Sequence, residues 1–277
     1  MTAAPRPPLA TRLGDGGRAV LDWFFPPVCA CCHFPVRAPD GPGLTDILCR
    51  ACRRDIRVVE APPCGQCQLG ADASLPECER CKALPASFDS ATSAFPYAGV
   101  VGQIIRNMKY RHGPHLASPL ARLTVAANGS AIQRLLGEER AEAIVPVPMA
   151  PLRRLRRGFN QAEVLAAELG AILHLPVLAD AMTRQRTPPQ ARKSGPEARL
   201  ANVSGAFRVI DPMAVAEKRL ILLDDVMTTG ATAACCAGAL KDAGAEAVHI
   251  LTVTRAGAGA LTRLPDPQMT LRDERMS

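Results

Sequence analysis

Apolar residues in this chain recur with two different periods. Short stretches in which almost every residue is apolar, Ala143-Ile-Val-Pro-Val-Pro148, Leu220-Ile-Leu-Leu223 and Val248 to Thr254, predict strands buried on both faces. Ser90 to Tyr97 has the composition of an edge strand, and Val203 to Ile210 of a further one. Between them the spacing becomes helical. Val101, Ile104, Ile105 and Met108 line one face, Leu116 to Leu136 makes one or two helices, Ala162 runs to about His174, and Ala233 to Ala243 is an alanine-rich helix carrying Leu240. Strands alternating with helices predict an α/β fold with a parallel sheet, whose ligand sites form at the carboxyl ends of the strands. Lys109 and Tyr110 close the first helix, and the lysine reads as a cation favourable to the helix dipole.

The carboxyl end of the Leu220–Leu223 strand carries the densest chemistry. Asp224 and Asp225 follow it, and then Thr228-Thr-Gly-Ala-Thr232 turns into the alanine helix. A Gly/Thr turn at a helix N-terminus offers backbone N–H groups to a phosphate. An acidic pair beside it can hold vicinal hydroxyls, directly or through a divalent ion. Thr228, Thr229, Gly230, Ala231 and Thr232 are therefore the candidate phosphate turn, with Asp224 and Asp225 on a ribose diol. This arrangement resembles the signature of the type I phosphoribosyltransferases, which implies phosphoribosyl pyrophosphate (PRPP) with Mg²⁺.

A second loop follows Pro148. Met149-Ala-Pro-Leu-Arg-Arg-Leu-Arg-Arg-Gly-Phe-Asn-Gln161 is basic, and Arg156, Arg157 and Gly158 suit a pyrophosphate, since guanidinium forks grip phosphate oxygens and glycine admits close backbone approach. From Thr183 to Asn202 the chain is polar, proline-broken and basic, as in a mobile loop that folds over a site. His112 and His115 read as surface residues of a Gly/Pro turn.

Eight cysteines form four C-x-x-C pairs, Cys29/Cys32, Cys49/Cys52, Cys64/Cys67 and Cys78/Cys81. In a chain with no export signal such spacing predicts zinc ligands, two knuckles per tetrahedral site, hence two structural Zn²⁺ ions. Sequential pairing closes each ribbon locally and is favoured, while first-with-third and second-with-fourth pairing satisfies the spacing equally. Cys31 is left over and is either a spare small residue or an alternative ligand. His33 is read as a bystander, and Cys235 and Cys236 as small buried residues. Leu21 to Pro27 resembles the end of a short amphipathic helix stopped by Pro26 and Pro27.

Composition narrows the setting. The chain has 277 residues, is 48% hydrophobic, and contains no apolar run near the roughly 18 residues of a spanning helix. Charged residues at Asp15, Arg18 and Asp22 interrupt any signal-peptide core, so a cytoplasmic protein that does not span a membrane is expected. Residues 151–200 hold nine Arg or Lys against four acids, a net +5 of the chain's +7. That concentration points to phosphate-bearing ligands, and Arg153, Arg154, Arg184, Arg186 and Arg199 are candidates for a nucleic-acid backbone.

Four C-x-x-C knuckles, Tyr97 with Lys109-Tyr110, Val145-Pro-Val-Pro148, Arg157-Gly-Phe-Asn-Gln161, Arg184 with Thr187 and Gln190, Arg199 with Asn202 and Gly205-Ala-Phe207, and Asp224-Asp-Val-Met-Thr-Thr-Gly-Ala-Thr232 together resemble the ComF (competence protein F) family. The resemblance implies a small Cys-rich double zinc ribbon preceding a phosphoribosyltransferase-like parallel-sheet core, and a cytoplasmic role in natural transformation with single-stranded DNA and DNA-uptake proteins as partners. Residues 1–28 would form an N-terminal segment with a short helix, 29–85 the double zinc ribbon, 90–255 the phosphoribosyltransferase-like domain and 256–277 a flexible tail. Thr228 stands where purine-salvage relatives place an Asp that acts on the base, and a threonine hydroxyl is a poor base at neutral pH. Three functions follow: a DNA-uptake accessory protein that binds PRPP or a ribose phosphate, an active phosphoribosyltransferase acting on an unidentified amine or nucleobase, and a zinc-ribbon adaptor whose pocket is vestigial.

Overall fold

The computed structural model describes residues 27–36, 47–59, 87–110, 113–185, 205–257 and 261–264. Its centre is a four-stranded sheet in the order β2-β7-β6-β3, with every pair parallel. The strands are β2 (Ser90–Pro96), β3 (Ala143–Pro146), β6 (Arg219–Met227) and β7 (Ala247–Arg255). β2 lies at the edge, as its composition predicts. The two central strands are buried along most of their length, which explains their near-continuous apolar sequence.

Helices cover both faces. Odd-numbered residues of β6 and β7, among them Ile221, Leu223, Leu251 and Val253, pack with α2 (Gly99–Tyr110), α3 (Ala117–Ala127), α4 (Gly129–Gly137) and α6 (Gln161–Leu173). Even-numbered residues, Leu220, Leu222, Val248 and Ile250, pack with α8 (Ala231–Asp242) and with Met182 and Phe207. Those two residues belong to an antiparallel hairpin, β4 (Met182–Arg184) and β5 (Phe207–Val209). The strand expected over Val203 to Ile210 is thus shorter and sits outside the main sheet; a four-residue helix, α7 (Pro212–Val215), follows it.

The cysteine segment shares the core of the sheet. Cys29, Leu48 and Ile56 are buried in the same cluster as Phe95, Ile104 and Ile105. A short helix, α1 (Arg50–Arg54), opens at Cys49, and β1 (Arg57–Val59) pairs with β8 (Leu261–Arg263). Leu261–Arg263 therefore forms a strand inside the stretch expected as a tail, because its backbone finds a partner in β1. Residues 21–26, Cys64, Cys67, Cys78, Cys81, His112, Arg186 and Arg199 lie outside the described residues.

Candidate functional site

β6 is longer than its apolar run predicts. Its ladder with β7 continues through Asp224 and Asp225 to Met227, where β7 ends at Arg255, and Thr254 Oγ1 donates to the Asp225 carbonyl at 3.0 Å. The acidic pair therefore lies within the strand, with the two carboxyl groups beside each other. Asp225 lies on the odd-numbered face and forms an ion pair with Lys109 of α2, both side chains being almost buried. Lys109 also lies 6.0 Å from the centre of the Tyr97 ring. Reading Lys109 as a dipole partner missed this contact, which the long stretch of intervening chain conceals.

Asp224 stands beside this pair. Burial, and next the charge of Asp225, push its carboxyl well above the usual carboxylate range, while the Asp225 N–H donating to Asp224 Oδ1 at 2.8 Å and the Lys109 charge pull the other way. Arg184 on β4 is electrostatically coupled to Asp224, and its guanidinium stacks 5.2 Å from the Phe207 ring centre. Burial and then Arg153 lower the pKa of Arg184. A row of polar residues crosses the sheet in register with Asp224. Ser93 and Thr252 share a hydroxyl hydrogen bond of 2.6 Å, and Thr252 is in register with Asp224.

Beyond Met227 the turn runs through exposed Thr228 and Thr229 to Gly230, whose φ of 85° is left-handed and suits glycine. Ala231 begins α8, its N–H donating to Thr229 Oγ1 at 3.4 Å, and Thr232 is half-buried in the first turn. The first N–H groups of a helix have no intrahelical acceptor, so the turn presents donors close to the acidic pair. Burial raises the Cys236 thiol on α8, and Asp224 adds to the effect.

The basic segment after β3 is a helix. α5 spans Pro151–Arg157, starting with a proline in its first turn and ending on Gly158 at φ 80°. These are ordinary start and stop signals, outweighed in the sequence reading by the density of arginine. Arg153, Arg154 and Arg156 are exposed, and Arg154 pairs with Glu163 at 2.7 Å. Arg157 donates to Gln161 at 3.1 Å and lies 5.4 Å from the Tyr110 ring centre. Asn160 is buried, caps α6 through the Ala162 N–H, and donates to the Val147 carbonyl at 3.0 Å, tying this segment to the end of β3.

The thiols of Cys29, Cys32, Cys49 and Cys52 lie within 4.8 Å of one another and are free of disulfides, a group that can hold a metal ion. Cys32 Sγ and Cys49 Sγ are 3.8 Å apart. Four sulfurs about 2.3 Å from a tetrahedral zinc would be about 3.8 Å apart, so the donor set and its spacing fit that ion. This grouping is the sequential one. The second expected zinc site, Cys64, Cys67, Cys78 and Cys81, falls wholly outside the described residues, so only the first of the two is brought together here. Burial raises the Cys29 thiol, but N–H groups of Cys32, Cys49 and Cys31 outweigh it and bring the value to about 7. Cys31 is half-buried outside the group of four.

No family model matches the chain. It is 32% identical to the DNA utilization protein YhgH of Escherichia coli K12 over 230 residues, covering 83% of this chain and 97% of that protein. The chain belongs to the ComF family. A further member, the competence protein F of Haemophilus influenzae, is 29% identical over 76% of this chain and 90% of its own length. Among solved structures, a B. subtilis glutamine PRPP amidotransferase complexed with ADP and GMP aligns at 18% identity and a TM-score of 0.30, over 47% of this chain and 26% of that one, a likeness too slight to carry an argument. The parallel sheet and the cysteine group are the architecture that the ComF resemblance implies. Among the described residues no helix is long and apolar enough to cross a membrane.

Proposed function

We propose that this protein binds PRPP or a ribose phosphate at the end of β6 and engages single-stranded DNA in DNA uptake. The observation that carries the first part is the placing of Asp224 and Asp225 immediately before the Gly230 turn and the N-terminus of α8. In this reading Thr228 to Thr232 receive the 5-phosphate, the two carboxylates hold the ribose hydroxyls, and Arg156, Arg157 and Gly158 face the pyrophosphate. Carboxylates are hard donors that suit Mg²⁺, and Asp224 and Asp225 are the residues that would hold it. When bound, Mg²⁺ would neutralise pyrophosphate charge. Zinc in the Cys29, Cys32, Cys49 and Cys52 group would have a structural role, since four thiolates leave no open position, and Cys64, Cys67, Cys78 and Cys81 would hold a second such ion.

The DNA-uptake part rests on the names of the relatives and on the exposed arginines of α5, with Arg184, Arg186 and Arg199 as further candidates. Calorimetric titration with PRPP and Mg²⁺ should give saturable binding that Asp225→Asn weakens at least about tenfold, or about 1.4 kcal/mol. Absence of binding at millimolar PRPP rejects the pocket. Binding of single-stranded oligonucleotides should weaken steeply with salt, as contacts to phosphates require. Release of pyrophosphate in the presence of an amine or nucleobase panel would instead establish turnover.

A further inference from the structure

We propose that Asn107 is a positioning residue of the β6 site: through helix α2 it ties the seating of the cysteine knuckle to the Lys109–Asp225 ion pair. The inference rests on the reading of Asp225 as a carboxylate that binds a ribose diol.

Asn107 is a buried amide whose Nδ2 donates to the Ala30 carbonyl at 2.6 Å, inside the turn between Cys29 and Cys32. Its Oδ1 accepts from Gln103 at 3.0 Å, so the side chain is held from both ends. Two residues later Lys109 meets Asp225. At about 100° per residue these side chains leave the helix about 200° apart, on either flank of the buried stripe of Val101, Ile104, Ile105 and Met108.

One flank of α2 is thus fastened to the knuckle and the other to the site. Side-chain tips lie about 5–6 Å from a helix axis, so a rotation of about 20° would displace them by about 2 Å, enough to break either contact. The first turn cannot easily absorb such motion. A Cβ on Gly102 would fall on the Tyr97 carbonyl, which Arg106 also grips at 3.3 Å, so backbone packs on backbone there. The Ala30 carbonyl is placed by the turn that Cys29 and Cys32 fold. Ordering of those thiols around a metal therefore fixes the acceptor of Asn107, and through α2 the cation that faces Asp225.

The test uses the zinc-loaded, full-length chain and two readouts. Lysine acylation followed by mass spectrometry should label Lys109 slowly in the wild type. Labelling should be several-fold faster in Asn107→Ala and in wild type stripped of zinc, with Lys218 and Lys241 unchanged. Asn107→Gln, which keeps the amide donor, should restore part of the protection. Titration with Mg²⁺ and PRPP should give an affinity about tenfold weaker for Asn107→Ala. Unchanged Lys109 labelling overturns the inference, as does faster labelling with undiminished PRPP affinity. Acceleration of all three lysines together reports general loosening and also overturns it. A wild type that shows zinc-dependent protection of Lys109 but no PRPP binding rejects the phosphoribosyl reading and retains the coupling between knuckle and ion pair.

Discussion

Strand β6 begins at Arg219, whose guanidinium reaches Glu246 at 3.0 Å across exposed surface, and near its far end carries Asp225, whose carboxylate meets Lys109 with both side chains almost out of water. The amino end of the sheet carries a second surface pair, Lys241 with Asp89 at 2.9 Å. Exposed pairs of this kind contribute little to stability and tune solubility. At the carboxyl end the charges are desolvated, and a second carboxylate, Asp224, sits beside the first. Buried ion pairs seldom repay their desolvation, and apolar residues of similar volume usually fold as well or better. Charge buried at a cost to folding sets this end of the sheet apart from the amino end.

The largest expected effect follows from breaking the buried pair on one side only. Lys109→Met leaves Asp225 without its cation and should lower unfolding free energy by about 3 kcal/mol at pH 7, measured in urea. Lys109→Met combined with Asp225→Leu should regain most of that loss. A double variant no more stable than the single one would show that the pair itself stabilises the fold, and the contrast between the two ends would fail.

Asp224 gives a smaller effect with a defined sign. Its folded pKa is raised, so as pH climbs past the ordinary carboxyl range the unfolded chain ionises first and stability falls until the folded group ionises as well. Asp224→Asn removes that loss. The variant should be more stable than wild type at pH 8 and equal to it near pH 4, with a limiting slope of about 1.4 kcal/mol per pH unit. The same variant should bind PRPP poorly, separating stability from ligand use.

Much of this carboxyl end can be read in the sequence, and the exceptions share a cause. The apolar run of β6, the Gly/Thr turn and the alanine helix are local patterns. Local patterns also announce α5, through Pro151 and Gly158, but they compete there with four arginines that suggest a loop. What the sequence conceals is tertiary. Nothing near Lys109 reveals that its partner is Asp225, and nothing near Asp225 shows that the ladder to Arg255 keeps it inside the strand. The knuckle is similar. Spacing groups its thiols, yet only the fold reveals that Cys29 shares a core with Phe95 and that Ala30 is the acceptor of Asn107.

The amino end should respond to pH in the opposite direction. His249 is buried, accepts or donates at Nδ1 with Ser90 Oγ at 2.9 Å, and holds its Nε2 3.7 Å from Glu139, beyond hydrogen-bond range. Burial lowers its pKa more than Glu139 raises it. The unfolded chain therefore takes up a proton first as pH falls through about 6.5, and stability declines below that value. His249→Gln should flatten this acid limb and leave the alkaline limb assigned to Asp224 untouched.

The smallest effect belongs to Arg219→Ala. The guanidinium donates to Glu246 through Nε and to the Glu139 carbonyl through Nη1 at 3.3 Å, and its proximity to Glu246 raises its pKa and lowers that of the acid. Both side chains remain in contact with water, which supplies replacement hydrogen bonds when one is removed and lets salt screen the charge. The urea midpoint of Arg219→Ala should thus stay close to wild type, and the remaining difference should shrink further at high ionic strength. A midpoint shift as large as that of Lys109→Met, and insensitive to salt, would mean that both ends of the sheet use charge to hold the fold, and burial alone would no longer distinguish them.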